Sequence, residues 1–213
     1  MDIILFGMQG SGKGTQGKIL AERYNLRVFD MGDSLRQMIA SGSPLGLKIK
    51  GIVESGNLVD DGTIMQVVEN FLQGAPADNP ILFDGIPRTM SQAEKLLALL
   101  KGHGRDAFAL VIKISDEEAV KRLTQRRMCP LCKEIYPAFY EGKECAKDGT
   151  ALVVRQDDSN LEAVTKRLEN FEKETKPVIQ HFYGMDHLIE VDGEQAIPDV
   201  TEEMIDKAGY LFS

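Results

Sequence analysis

Short, dense apolar runs recur along the chain with long, evenly mixed stretches between them. Asp2–Phe6, Arg27–Asp30, Pro80–Asp84, Phe108–Ile114 and His187–Asp192 are rich in Ile, Leu, Val and Phe and too short for helices. They predict strands buried on both faces. Apolar positions fall at helical spacing over Lys13–Tyr24, Ser34–Ile39, Pro44–Glu54, Thr63–Leu72, Ser91–Leu100, Asp116–Gln125, Leu161–Tyr183 and Pro198–Ala208. Strands alternating with helices predict an α/β fold with a parallel sheet covered on both sides. Two stretches break the rhythm. Met31–Val59 predicts two helices and no strand, and Arg126–Asp158 is rich in Gly, Pro, Cys and charge with no helical period. Both read as lobes standing off the core.

Composition narrows the class. The chain has 213 residues, 43% of them hydrophobic and 27% charged, which suits one soluble α/β domain with inserted lobes. A net charge of −8 argues against a surface built to coat nucleic acid or an anionic membrane. No run approaches the roughly 18 apolar residues of a membrane span. The first residues lack the pattern of a signal peptide. The cytoplasm is the expected location and a monomer the expected state. Against the acidic balance, Arg88, Arg122, Arg126, Arg127, Arg155 and Arg167 gather near the motifs below. Arginines concentrated in an acidic chain suit a small polyanion.

The first strand runs into Gly7-Met8-Gln9-Gly10-Ser11-Gly12-Lys13-Gly14-Thr15. This is the G-x-x-x-x-G-K pattern of a phosphate-binding loop. The glycines let successive backbone N–H groups turn toward one anion, and the following helix adds its positive end. Lys13 supplies an ammonium for the β- and γ-phosphates. The hydroxyl stands one place later than usual, at Thr15, with Gly14 between.

Asp84-Gly85-Ile86-Pro87-Arg88-Thr89 ends the third strand. Carboxyl ends of parallel strands face the ligand crevice, so Asp84 is expected beside the loop, holding Mg²⁺ through its waters. Arg88 is expected to clamp a transferring phosphoryl group. After the second strand, Asp33 or Ser34 reads as a helix cap, and Arg36 projects from the helix that follows. Cys129-Pro130-Leu131-Cys132 and Cys145-Ala146-Lys147-Asp148 repeat a two-residue spacing. Two such turns close a tetrahedral shell suited to a structural Zn²⁺, with Co²⁺ and Fe²⁺ also compatible.

GMQGSGKGT, MGDSLR, SGNLVDD, DGIPRTMSQA, KRLTQRR, the C-x-x-C…C-x-x-D cluster, RQDD and VDG occur in one order. Over essentially its whole length the chain resembles the adenylate kinase family. The resemblance implies a P-loop nucleoside triphosphate hydrolase-like core with a five-stranded parallel sheet, formed by residues 1–29, 60–125 and 163–213. It further implies an AMP-binding lobe over 30–59, a metal-binding ATP lid over 126–162, and ATP, AMP and ADP with Mg²⁺ as ligands. By the same resemblance Gly10, Ser11, Gly12, Lys13, Gly14 and Thr15 bind ATP phosphates. Arg122 and Arg126 contact ATP, with Ile135 and Tyr136 near the nucleotide. Met31, Arg36, Asn57, Leu58, Val59, Gly85, Arg88 and Gln92 line the AMP side. Arg155 and Arg167 clamp phosphates, and Gln195 meets adenine through its backbone. Lys13, Arg88, Arg126, Arg155 and Arg167 form the catalytic set.

The chain departs from the family at several places. Met31 stands where Thr is usual, Gln9 where Pro is common and Ile86 where Phe is common. The lid is a few residues short between Cys132 and Cys145, and one extra residue lies between Arg155 and Arg167. Met31 keeps UMP, CMP and GMP open as acceptors. A non-catalytic ATP sensor is a further reading, opposed by the number of arginines. A zinc ribbon for nucleic acid is opposed by the acidic balance and the lack of aromatic residues among the basic ones.

Overall fold

The computed structural model describes residues 1–76, 78–137, 139–154, 158 and 161–212. In chain order the first half reads β1 (Asp2–Gly7), α1 (Lys13–Tyr24), β2 (Arg27–Asp30), α2 (Met31–Ala40), α3 (Pro44–Glu54), α4 (Asp61–Gln73), β3 (Ile81–Asp84), α5 (Met90–Gly102) and β4 (Ala107–Lys113). The second half reads α6 (Asp116–Gln125), β5 (Arg127–Met128), β6 (Ile135–Tyr136), α7 (Leu161–Asn170), α8 (Lys176–Gly184), β7 (Leu188–Asp192) and α9 (Ile197–Ala208). A π-helical turn, Phe171–Thr175, joins α7 to α8. A short 3₁₀ turn, Gly209–Phe212, follows α9.

The five long strands form one parallel sheet in the order β2-β3-β1-β4-β7. Alternate side chains of β1 serve opposite faces. Ile3 and Leu5 join Leu20 of α1, Leu110, and Val200 and Met204 of α9. Ile4 and Phe6 join Phe83, Val68 of α4, Leu96 of α5, and Val178 and Phe182 of α8. Helices on both faces explain why β1, β3 and β4 are almost wholly buried and apolar, whereas the edge strands β2 and β7, expected to be buried on both faces, carry Arg27 and Glu190 and are partly exposed. A buried ion pair fixes the sheet's lower edge: Arg105 Nη2 donates to Asp2 Oδ1 at 2.6 Å, and Ile81 N donates to the same oxygen at 2.9 Å. Because β1 has neighbours reached in opposite directions along the sheet, its carboxyl end is the switch point where open α/β sheets bind ligands.

Side chains of the two-helix segment run into the main core, with Leu35, Ile49 and Val59 buried in the same cluster as Phe29 and Phe83. The cysteine segment has a small cluster of its own, Cys129, Tyr136 and Cys145 with Tyr140 and Leu152 against it.

Several expected boundaries shift for local reasons. Helix α2 begins at Met31, and its cap is Asp30, whose carboxylate accepts from Asp33 N at 2.8 Å. Asp33 and Ser34 are therefore first-turn residues, and Ser34 Oγ donates back to Asp30 O. Asp60 caps α4 and Thr89 caps α5 in the same way, so both helices start earlier than the apolar spacing predicts. The cysteine segment contains one small antiparallel pair, β5 with β6. The expected long helix Leu161–Tyr183 is interrupted. Pro177 has no N–H to give the carbonyl four residues back, and the preceding turn widens, with Lys176 N donating to Phe171 O.

Candidate active site

Glycine is required where the chain leaves β1. A Cβ at Gly7 would lie 2.5 Å from Ser11 Oγ and 2.6 Å from Ile112 O, so any side chain would push the loop off β4. Gly12, at φ 96°, turns the chain into α1 and offers no side-chain acceptor to the first turn. That turn carries no acidic residue either. Backbone donors and the positive helix end therefore point at the space above the loop, a ready seat for phosphate. Ser11 Oγ is buried there without a partner among the described residues.

Lys13 is half-buried, and its Nζ donates to the carbonyls of Gly7 and Met8. Burial pulls its pKa down to about 8, with Arg88 and Arg126 adding to the depression and Asp84 opposing it. Asp84, at the carboxyl end of β3, lies close enough to Lys13 for their charges to interact. Burial raises its carboxyl pKa, while Lys13 pulls the other way and Asp30 adds to the rise. The two groups hold each other charged against desolvation.

Arg88 is held through its backbone as well as its side chain. Its N–H donates to Gln92 Oε1 at 2.8 Å, and its Nε donates to Gly85 O at 3.1 Å. Its carbonyl accepts from Thr175 Oγ1 at 3.1 Å. Gln92 is buried, and its Nε2 donates to Asp61 Oδ1 at 2.8 Å. Both ends of that amide are thus engaged by protein groups. Asn170 Nδ2 donates to Gly56 O at 3.0 Å, tying the loop before Asn57 to the long helix.

Two arginines from distant segments meet on one carboxylate. Arg126 Nε donates to Asp158 Oδ2 and Arg167 Nη2 to Asp158 Oδ1, each at 2.5 Å, and the Asp158 side chain is fully enclosed. Burial raises the carboxyl's pKa, but the two guanidinium groups outweigh it and hold it below the usual carboxylate range. Lys13, Gly85, Arg88 and Arg167 line a single cleft of about 520 Å³ including its open mouth. Gly56, Leu58, Asn170 and Phe171 complete its far wall.

The remaining expected residues are distributed as follows. Gly14 and Thr15 are exposed at the start of α1, and Gly10 adjoins Arg122, whose Nε donates to Glu118 Oε1 at 2.8 Å. Met31 is buried under Gly85. Arg36 lies 3.7 Å from Asp33 and 3.9 Å from Asp30. Asn57 is exposed, whereas the Val59 side chain belongs to the core. Ile135 is half-buried. Gln195 is exposed, with Nε2 donating to Asp192 O and Glu203 Oε2. Arg155 lies outside the described residues. Gln9, Gly56, Asp158, Asn170, Phe171 and Thr175 were not singled out from the sequence as site residues. Only RQDD hinted at Asp158, and the helical face shared with Arg167 hinted at Asn170 and Phe171.

In the cysteine segment, Cys129, Cys132, Cys145 and Asp148 bring their ligand atoms within 4.8 Å of one another. Cys132 Sγ and Cys145 Sγ are 3.5 Å apart, far beyond a disulfide bond but close to the separation of two thiolates on one Zn²⁺. Tyr136 OH donates to Cys145 Sγ at 3.2 Å, and Cys132 N donates to Cys129 Sγ at 3.4 Å. Donors aimed at sulfur suit thiolate ligands and support their orientation. Asp148 is held well below the usual carboxylate range by hydrogen bonds from Thr150. The donor set fits a closed tetrahedral ion.

The adenylate kinase family profile matches residues 5–187. The chain belongs to the adenylate kinase family. It is accordingly a phosphotransferase of the nucleoside monophosphate kinase class. Adenylate kinase of Bacillus velezensis is 35% identical to it over 216 residues, covering 99% of both chains. Adenylate kinase of Clostridium beijerinckii is 38% identical, covering 98% of this chain and 99% of its own. Adenylate kinase of Bacillus subtilis is 35% identical over 99% of both. Among the described residues no helix is long and apolar enough to cross a membrane.

Proposed function

We propose that the family's reaction, ATP + AMP = 2 ADP, proceeds in this chain by direct in-line transfer between two nucleotides whose phosphates meet over Lys13. The observation that carries this reading is the convergence of Lys13, Arg88 and Arg167 on one cleft from three distant parts of the chain. Phosphoryl transfer asks for positioning and charge neutralisation more than for a nucleophile or base. The loop amides and Lys13 hold the β- and γ-phosphates of ATP. Arg88 holds the acceptor phosphate and the group in transit. Arg126 and Arg167, already aligned by Asp158, add charge from the opposite side, and Arg155 joins them.

Mg²⁺ bound with ATP would supply charge neutralisation at the phosphate oxygens. Asp84 would hold its hydration shell, and Thr15 would offer a hydroxyl from the start of α1. Residues 30–59 act as the AMP lobe and 126–162 as the ATP lid, closing over a core of 1–29, 60–125 and 163–213 to exclude water that would otherwise take the phosphoryl group. A structural Zn²⁺ on Cys129, Cys132, Cys145 and Asp148 stiffens the lid, and Co²⁺ or Fe²⁺ would suit the same ligands. Met31 offers a thioether and no hydroxyl on the acceptor side, so base selectivity is the component most open to change.

Two measurements test the reading. Two adenosines joined through five phosphates should bind far more tightly than either nucleotide. Weak binding of that mimic would reject the shared cleft. A panel of AMP, UMP, CMP and GMP with ATP should give ADP fastest with AMP. Preference for a pyrimidine would shift the acceptor.

A further inference from the structure

Gln9 is the polar cleft residue to which the transfer scheme gives no task. It stands in the loop between β1 and α1, one residue before Gly10, and lines the cleft with Lys13, Gly85, Arg88 and Arg167. Its Oε1 is buried, and among the described residues no donor reaches it. A buried amide oxygen without a donor is unfavourable in the folded chain, and native structures contain few of them. If Gln9 served only to shape the loop, its bonds would already be made in the empty protein. They are not. A second unpartnered oxygen in the loop, Ser11 Oγ, lies inside the curl against Gly7 and belongs to the loop's own anion seat.

A carboxamide carries two N–H donors and one acceptor on a planar head. Its surroundings here are ammonium and guanidinium groups that the phosphates are expected to bridge. A phosphoryl oxygen can take the amide donors, and an arginine N–H or a hydration water arriving with the phosphates can satisfy Oε1. Resting on phosphoryl transfer in this cleft, we propose that Gln9 is a further substrate-contacting residue, with Nε2 donating to a non-bridging oxygen of the phosphoryl group in transit. Its Oε1 is unsatisfied in the empty cleft, and the groups that would satisfy it arrive with the phosphates. Its contribution therefore appears in the ternary state and not in the stability of the empty fold.

Two variants separate these states. Gln9→Met keeps the length of the side chain and removes donor and acceptor together. Gln9→Glu keeps the shape and sets an anion against the phosphates. The readouts are the melting temperature of the empty full-length chain, AMP affinity, and affinity for two adenosines joined through five phosphates, all with Mg²⁺ present. Q9M is expected to melt at or above the wild-type temperature and to bind AMP within about twofold. It is expected to bind the bisubstrate mimic roughly tenfold more weakly, the scale of one hydrogen bond to a charged group. Q9E is expected to lose roughly 100-fold or more on the mimic. Wild-type affinity of Q9M for the mimic would remove Gln9 alone, because the parent's tight binding stands as the control. A loss of affinity matched by a lowered melting temperature would make Gln9 a structural residue and overturn the proposal. Failure of the wild-type chain itself to bind the mimic would remove the transfer reading, and Gln9's role with it.

Discussion

Asp158 holds Arg126 and Arg167 in register before any phosphate arrives. Replacing it with Asn leaves two enclosed guanidinium groups facing a neutral amide, which should destabilise the fold by roughly 3 kcal/mol. The pH dependence has a definite sign. A carboxyl held below its unfolded value stabilises the fold above about pH 4, and that contribution is lost as pH falls toward the folded pKa. Melting curves between pH 3 and 7 should show a shallower acid limb for D158N than for the parent. Parallel limbs would mean that the carboxylate is not the acid-sensitive group. Lys13 works in the opposite direction. Its ammonium titrates near pH 8 in the empty protein, because burial disfavours charge there. Phosphate beside it should restore the ordinary pKa. Between about pH 8 and 10, ATP binding should take up as much as about one proton, and affinity should fall as pH rises. Titration calorimetry in two buffers of different ionisation enthalpy reads the proton directly. Equal observed heats in the two buffers would exclude Lys13 as the phosphate partner.

At the scale of elements, the cysteine segment is too small to hold itself together on Tyr136, Tyr140 and Leu152 alone. Removing a bound ion should lower the melting temperature and loosen this segment, while the sheet keeps its far-UV circular dichroism and transfer persists at low temperature. An unchanged melting curve after verified metal loss would deny the ion a structural role. This segment also illustrates what a sequence discloses. The ligand spacing was legible because two-residue turns bracket each pair, but β5 and β6 were not, since two-residue strands leave no periodicity. The five long strands were legible because their central positions are apolar, most completely in β1, β3 and β4, which helices cover on both faces. The boundaries of α2 and α4 were less so. Asp30 and Asp60 cap from positions that read as strand end and loop. The interruption at Phe171–Thr175 depends on how one missing N–H is absorbed by the turn before Pro177, which an apolar pattern does not record. Loop, lysine and arginines of the site were legible from motif chemistry. Thr175 and Asn170 were not, because they act on backbone carbonyls of Arg88 and Gly56 far away in sequence.

Across the whole molecule, an exposed ion pair joins the cysteine segment, the proposed lid, to α1, apart from the enclosed Asp158–Arg167 pair. Lys18 on α1 lies 3.3 Å from Glu134, which also pairs with Lys147 at 2.7 Å. The Lys147 and Lys18 hydrogen bonds outweigh burial and hold Glu134 below the ordinary carboxylate range. Pairs this open to water contribute at most about 1 kcal/mol and weaken with salt. Glu134→Gln should shift the lid toward open by no more than about fivefold, and the shift should vanish at high ionic strength. Distance-dependent fluorescence transfer between lid and core measures it. A large, salt-insensitive change would point to packing instead.

The rod formed by α7, the π turn and α8 touches several distant parts of the site at once. It bears Arg167, steadies the carbonyl of Gly56, holds the carbonyl of Arg88, and roots itself in the sheet through Val178 and Phe182. The proposed donor and acceptor sides thus share a common axle. If the proposed reading holds, filling one side should favour the other, and AMP should bind more tightly in the presence of a non-hydrolysable ATP analogue.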